Sequence, residues 1–408
     1  MAQSRVSFSD QVRDTARRLG FDAVGIARAS IPLDGDFLRY EEFVGQGMHG
    51  EMGWLARHVG VRARLDGDGI LVGAKSVICV ARRYPHRRGP RSTQEGASED
   101  ALVRGIALYA RGQDYHRFVR RRLRRLASFV RSLGTADQPV VARPLCDEEP
   151  VLERAWAVRA GLGFIGKNGM LIVPGLGSMV LLGEVVTTLE LDESIAATAG
   201  PVEERCGSCT RCLDACPTQA FASAYVLDPR RCVSYLTIEH RSAVAPELRE
   251  GIGTHLFGCD DCQTVCPFNA GRGALARHEE SGRKQGVPHA RAERESGRNT
   301  QRVPHARAER ESGRNTKESH DPFAPLERWS QVRLETLLSL DHASWGILFA
   351  GTPLKRAGRA GIARNAAIVL GNRRAKSALP ALRAAANSHD DPWVREAASW
   401  AVARIEQK

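Results

Sequence analysis

The sequence predicts three structural units in series: an α/β domain over residues 1–200, a small irregular module over 201–275 and an all-α tail over 321–408. Three observations carry that division. Segments of helical and strand periodicity alternate through the first half of the chain. Two cysteine runs, Cys206-x2-Cys209-x2-Cys212-x3-Cys216-Pro217 and Cys259-x2-Cys262-x3-Cys266-Pro267, crowd the middle. Ala-rich segments of helical spacing, punctuated by glycine and proline, fill the end.

In the first unit, residues 8–19 read as an amphipathic helix stopped at Gly20, the usual kind of residue after a helix C-terminus. Phe21–Ala27 and Ser76–Ala81 are expected strands, and Cys79, inside the apolar run Ser76–Val80, is expected in the core. Between Asp114 and Leu133, Val119, Leu123, Leu126, Val130 and Leu133 recur at helical spacing. The other faces of that helix carry Arg117, Arg120, Arg121, Arg122, Arg124, Arg125 and Arg131, which suits a solvated face or a surface turned to a polyanion. Pro150–Ala160 reads as a short helix closed by Gly161, with strands at Met170–Val173 and Ser178–Thr187. Gly161-Leu-Gly163-Phe-Ile-Gly166 fits G-x-G-x-x-G. A dinucleotide fingerprint must follow a strand and open a helix, whereas these glycines close a helix and lead to a strand, so dinucleotide binding is rejected here.

The first cysteine run is C-x2-C-x2-C-x3-C-P, the bacterial ferredoxin pattern for two [4Fe–4S] clusters, in which the fourth cysteine of a run ligates the other cluster. Cys206, Cys209, Cys212 and Cys266 are then expected to hold one cluster, and Cys216, Cys259 and Cys262 the other. The second run lacks its first cysteine, because Leu256 stands there, and Cys232 is the nearest candidate for the missing ligand. A structural zinc site uses separated C-x2-C pairs rather than three successive cysteines. Disulfides belong to oxidising compartments, and the N-terminus shows neither an apolar signal region nor twin arginines. A cytoplasmic, membrane-free monomer is expected.

Residues 276–320 are expected to be a disordered insert. Val287–Thr300 recurs as an identical copy at 303–316, and 277–316 holds no aromatic residue, leucine or isoleucine that would offset the cost of ordering it. This insert contributes +4 of the net charge of +12; the rest of the chain leans basic, which favours a nucleic-acid partner only weakly. In the tail, residues 361–371, 377–387 and 392–405 are expected helices. Asp391 caps the third, Pro392 takes its first position, and Trp393, Ala397, Trp400 and Ile405 form its apolar stripe. Lys355, Arg356, Arg359 and Arg364 gather around the first, as surface charge or as phosphate contacts.

Two clusters store and pass electrons, and a domain of this size before them implies a terminal acceptor. Asp114-Tyr115-His116 supplies half of the cobalamin motif D-x-H-x-x-G, but Val119 takes the glycine position, which speaks against an axial histidine. Cys206–Thr218, Phe257–Asn269, Arg231–His240, Tyr109–His116 and Pro150–Asn168 together resemble the epoxyqueuosine reductase family, and the tail resembles its HEAT-like end. A reductive dehalogenase shares the corrinoid-and-two-cluster plan, and a plain electron carrier shares the clusters. The first resembles exported proteins with twin-arginine signals and the second needs neither outer domain.

The resemblance implies an α/β, nitroreductase-like N-terminal domain that binds cobalamin, fed by the ferredoxin-like two-cluster module, and removal of the epoxide oxygen of epoxyqueuosine at the wobble position of tRNA. It implies Asp147 as proton donor; a helix-capping role is the other reading of that residue. To be protonated near neutral pH its carboxyl pKa must rise, through burial or like charge, and the neighbouring Glu148 and Glu149 either supply that charge or point to solvent as helix-start carboxylates. The resemblance implies cobalamin contacts at Arg64, Ala107, Leu171, Leu182, Ser234 and Asp260. The anticodon stem-loop of the tRNA is expected over His240, Lys355, Arg356, Arg359 and Arg364, and an external low-potential electron donor is required.

Overall fold

The structure, a computed structural model, describes residues 7–84, 102–194, 205–269 and 321–407; the duplicated insert lies outside them. The N-terminal sheet is built from β1 (Ala23–Arg28), β2 (Ser76–Arg83), β3 (Ala142–Leu145) and the later strand β6 (Val180–Thr187), in the order β1-β2-β6-β3. Every pairing is antiparallel, and β2 and β6 are in register over their whole length, from Ser76 opposite Thr187 to Arg83 opposite Val180.

The alternation of side chains along a strand gives this sheet two apolar faces. Ile26, Ile78, Val80 and Val185 pack under α1 (Phe8–Arg18) and α4 (Tyr115–Arg131). Val77, Cys79, Ala81, Leu145 and Val186 pack under α5 (Glu153–Arg159) through Trp156 and Ala157. On that side β1 runs so close to the end of α5 that a Cβ at Gly25 would collide with the Ala160 carbonyl. The short helices α2 (Asp34–Gly45) and α3 (Val59–Ala63) lie in the connection between β1 and β2. The cap residues are the expected kind: the Ser7 side chain accepts the Asp10 N–H at the start of α1, and Asp114 accepts the His116 N–H at the start of α4. After α5, Gly161 sits at φ +80° and the chain enters the hairpin β4 (Phe164–Ile165) and β5 (Leu171–Ile172). The glycine-rich stretch therefore joins a helix to a strand, the wrong order for a phosphate cradle.

The cysteine module has little regular structure. Single turns α6 (Arg211–Asp214) and α9 (Asp261–Thr264) lie within the two runs, separated by the hairpin β7 (Phe221–Ser223) and β8 (Val226–Leu227) and by α7 (Val233–Ile238) and α8 (Pro246–Ile252). The tail contains α10 (His342–Leu348), α11 (Gly358–Asn372), α12 (Leu379–Ser388) and α13 (Pro392–Glu406). Pro392 opens α13 as expected, and its buried stripe is Val394, Ala397, Ala398, Ala401 and Ile405. Among the described residues, no helix is long and apolar enough to cross a membrane.

Helix α11 differs from an amphipathic surface helix: every residue from Gly361 to Gly371 is buried, because one side packs on α13 and the other on the cysteine module. The largest core accordingly runs through all three parts of the chain, joining Leu102 and Ile106 to Leu236, Leu256 and Phe257 and to Ile362 and Ile368. Leu256, at the position of the absent cysteine, is fully buried. Its N–H donates to Gly105 and its carbonyl accepts from the Asn365 amide, so this position ties the module to both neighbours.

Candidate active site

A cavity of about 1690 Å³ opens where the three parts meet, larger than the 300–1,000 Å³ of ordinary small-molecule sites. Trp54, Tyr109 and Asp147 line it from the N-terminal domain, Ser234 and Phe257 from the module, and Arg356 from the tail.

Asp147 projects into this space about half exposed, from the loop after β3. Its Oδ2 lies 2.7 Å from Nε2 of His116 and receives the Tyr115 hydroxyl at 3.2 Å. The other ring nitrogen of His116, Nδ1, lies 2.7 Å from Asp114 Oδ1, and the Tyr115 and His116 rings are stacked with centroids 4.1 Å apart. The expectation of a raised Asp147 pKa is corrected here. The hydrogen bond from His116 is the largest influence and, with the imidazolium charge, holds the Asp147 carboxyl below the ordinary range despite burial. Burial would lower the His116 pKa, but the two flanking carboxylates overcome it and push it up to about 9. Near neutral pH the proton therefore resides on His116. Glu148 instead pairs with Arg120, and Glu149 accepts the Cys146 N–H at 3.0 Å. Nor is Asp147 a helix cap: the residue before α5 is Leu152. The sequence signal for this cluster is the Asp114-Tyr115-His116 run, which suggests half of a metal-ligand motif. The geometry gives it another meaning, since both ring nitrogens face carboxylates.

All ten cysteines are free of disulfides. Cys79 is buried in β2 as expected, and Cys146 is buried beside Asp147 with its thiol 3.9 Å from the Leu182 carbonyl. The other eight fall into two adjoining groups. Burial, then Cys266, Cys206 and Cys209, push the Cys212 thiol up to about 11. Burial, then Cys232, Cys212 and Cys216, push Cys262 up to about 12, and Cys259 feels Cys232 and Cys262 in turn. Eight crowded thiols without disulfide partners suit cationic iron–sulfur groups, which favour the thiolate form. Lys167 braces the first run by donating to the carbonyls of Gly207 and Cys209 at 2.6 and 3.1 Å. His255 borders the second, 3.8 Å from Cys259 Sγ and 3.0 Å from Asp261 Oδ2.

Of the six residues expected around a corrin, Ser234 is a lining residue of the cavity. Ala107 and Asp260 sit behind Tyr109: the Ala107 N–H donates to Phe257, and the Asp260 carboxylate accepts the Leu108 N–H at 2.7 Å. Arg64 makes a two-point exposed pair with Asp66 at 2.9 Å. Leu171 is buried under the sheet, and Leu182 is half-buried on β6.

Among the expected RNA contacts, Lys355 and Arg356 line the cavity, Arg356 in a two-point pair with Glu239. His240 is mostly buried, with Nε2 3.0 Å from the Ala243 carbonyl. Arg359 is largely covered and bonded to Leu340 and Asp390. Arg364 is a correction: it is 1% exposed and donates to the carbonyls of Leu236, His240 and Ser242, so its guanidinium is an internal strut. A surface position for Arg364 would require α11 to have a solvated side, and it has none. Arg117, Arg121 and Arg124 of α4, whose role the sequence leaves open, are exposed along the cavity. Arg122 instead stacks on Phe118 and donates to Leu19.

Comparison with known proteins adds three family matches: "Epoxyqueuosine reductase QueG" over residues 64–147, "4Fe-4S double cluster binding domain" over 205–269 and "HEAT repeats" over 354–408. An epoxyqueuosine reductase of Gloeobacter violaceus is 37% identical over 366 residues, covering 88% of this chain and 95% of that protein. A crystal structure of epoxyqueuosine reductase with an epoxyqueuosine-modified tRNA-Tyr stem loop superposes with a TM-score of 0.75 at 27% identity, covering 97% of this chain and 89% of that one. The Bacillus subtilis epoxyqueuosine reductase, with a catalytic loop swung out of its active site, superposes at 0.73 and 27% identity, covering 97% and 90%.

Proposed function

This chain belongs to the epoxyqueuosine reductase family, and from that premise we propose how its own residues reduce epoxyqueuosine to queuosine in tRNA. The observation that carries the reading is the convergence on one cavity of Asp147 with its His116 partner, of Cys232 and Ser234 from the cluster module, and of a basic rim. Turning an epoxide into an alkene takes two electrons and two protons and releases the oxygen as water.

Cobalamin, with two [4Fe–4S] clusters behind it, supplies the low-potential electrons for that reaction when bound. Cys206, Cys209, Cys212 and Cys266 would hold one cluster and Cys216, Cys232, Cys259 and Cys262 the other, with an external low-potential donor replenishing them. Cys232 and Ser234 stand two residues apart, and both line the cavity, so the cluster that Cys232 completes would be the one to feed the corrin. Ser234 would meet the corrin rim; Arg64, Ala107, Leu171, Leu182 and Asp260 are further contacts that rest on the family resemblance alone.

Asp147 is the group that hands a proton to the departing oxygen, and His116 is its source. At rest the carboxylate is ionised and the proton is held by His116, whose Nε2 lies 2.7 Å from Oδ2. As negative charge develops on the substrate oxygen, transfer of one proton from His116 through Asp147 becomes favourable, and solvent supplies the second proton that completes the water. Tyr115 holds Oδ2 in place, and Asp114 stabilises the imidazolium. The RNA lies along Lys355 and Arg356, with Arg117, Arg121 and Arg124 opposite, reading phosphate and shape while the modified base enters the cavity.

The deciding experiment incubates tRNA containing epoxyqueuosine with anaerobically reconstituted protein, cobalamin and a reductant, then digests the RNA and analyses its nucleosides. Queuosine is the expected product, and its absence from fully loaded protein would sink the proposal.

A further inference from the structure

Two acidic side chains beneath the Asp147 loop have no part in the chemistry above. Glu184 lies on the central strand β6, opposite Cys79 of β2 and Leu145 of β3, and is 0% exposed. Neither of its oxygens has a hydrogen-bond donor among the described residues. Its polar neighbour is Glu153 at the start of α5. Two carboxyls can bond only when one carries a proton, and a lone buried carboxylate is strongly disfavoured. Burial, then the charge of Glu153, pushes the Glu184 carboxyl well above the carboxylate range. Burial, with the charges of Asp147 and Glu149 behind it, raises Glu153 as well, against the bond it accepts from the Asp147 backbone. The other titratable groups that face the pair are Cys79 on β2, Cys146, Asp147 and Glu149 on the loop, Arg154 on α5 and Tyr115 on α4.

The loop above the pair is bent in an unusual way. Asp147 is a non-glycine residue at φ +66°, and the Glu148 N–H closes a three-residue turn onto the Cys146 carbonyl at 2.8 Å. Such positive-φ turns are strained and persist where surrounding bonds over-determine them. The bond that ties the Asp147 backbone to α5 is its own N–H, donated to Glu153 Oε1 at 2.8 Å.

We propose that Glu153 is a positioning residue whose carboxyl, at the start of α5, holds the Asp147 loop in its bent, cavity-facing form. The inference rests on the proton-transfer role of Asp147 for its consequence in catalysis, though not for the latch itself.

The test uses full-length protein with clusters and corrinoid loaded, and two readouts. Hydrogen exchange of the peptide spanning 146–149 reports the latch, and kcat with KM for the modified tRNA reports its effect. Glu153→Ala is expected to speed exchange and lower kcat, each by about tenfold or more, with KM changed less than about twofold. Glu153→Gln, which keeps an accepting oxygen, is expected to restore both. Should Glu153→Ala fail to retain its clusters, Glu153→Met is judged by the same criteria. Wild-type exchange in the acceptor-free variant, or no rescue by glutamine, overturns the proposal. Fast exchange with an undiminished kcat instead overturns the role given to Asp147.

Discussion

His116 Nε2 lies 2.7 Å from Asp147 Oδ2, on a ring whose other nitrogen lies 2.7 Å from Asp114 Oδ1. An imidazole between two carboxylates is a proton store, and under the proposed mechanism Asp147 is the conduit and His116 the reservoir. Asp147→Asn should slow turnover by about a hundredfold or more, with cluster and corrinoid absorbance retained. His116→Gln should slow it as well. Single-turnover rates on epoxyqueuosine tRNA measure both, and an unaltered rate in Asp147→Asn would remove it from the mechanism.

The same triad predicts a pH dependence. The His116 pKa rises from an unfolded value of about 6.5 to about 9 in the folded protein. A raised folded pKa adds stability that is fully present below the unfolded value and fades as pH climbs through the folded one. Unfolding midpoints should therefore fall between about pH 6.5 and 9 in the wild type and fall less in His116→Gln. Asp147 has the opposite sign: its lowered pKa adds stability above the ordinary carboxylate range that is lost on acidification.

The basic residues of the tail and of α4 should separate into contrasting classes. Arg364→Met removes a buried guanidinium that serves three carbonyls. It should cost on the order of 3 kcal/mol of stability, read by denaturant melts, with little effect on the salt dependence of RNA binding. Lys355→Ala and Arg121→Ala should leave stability nearly unchanged and each lower the slope of log affinity against log salt by about one. Arg359 is largely covered and held by Asp390, so Arg359→Ala should fall between the two classes.

Cys232→Ala should abolish one cluster and leave the other. Iron content would drop to about half of the two-cluster value, and electron delivery to the cavity would stop. Full iron content in this variant would show that another residue completes the second cluster.

Removing residues 277–316 should leave activity and melting temperature within error of the intact chain, because the segment has too few large apolar side chains to build a core. A collapse in either would assign it a structural role.

Sequence alone determined the elements with strong local signals. The helix of residues 114–133 appears as Tyr115–Arg131, the strand of 178–187 as Val180–Thr187 and the third tail helix as Pro392–Glu406, since side-chain periodicity and end residues act within a few positions. The cysteine spacing likewise announced a two-cluster module, matched as a 4Fe-4S double cluster domain over 205–269, because cluster wrapping is a short-range constraint on the chain. Tertiary structure alone decided what long-range contacts control. Arg364 is a strut because α11 is covered on both sides, and Asp147 is held below the ordinary carboxylate pKa because a helix start 31 residues away in sequence delivers His116 to it. A pKa depends on the charges and burial around a group in space, and neither can be read from the neighbours of Asp147 along the chain.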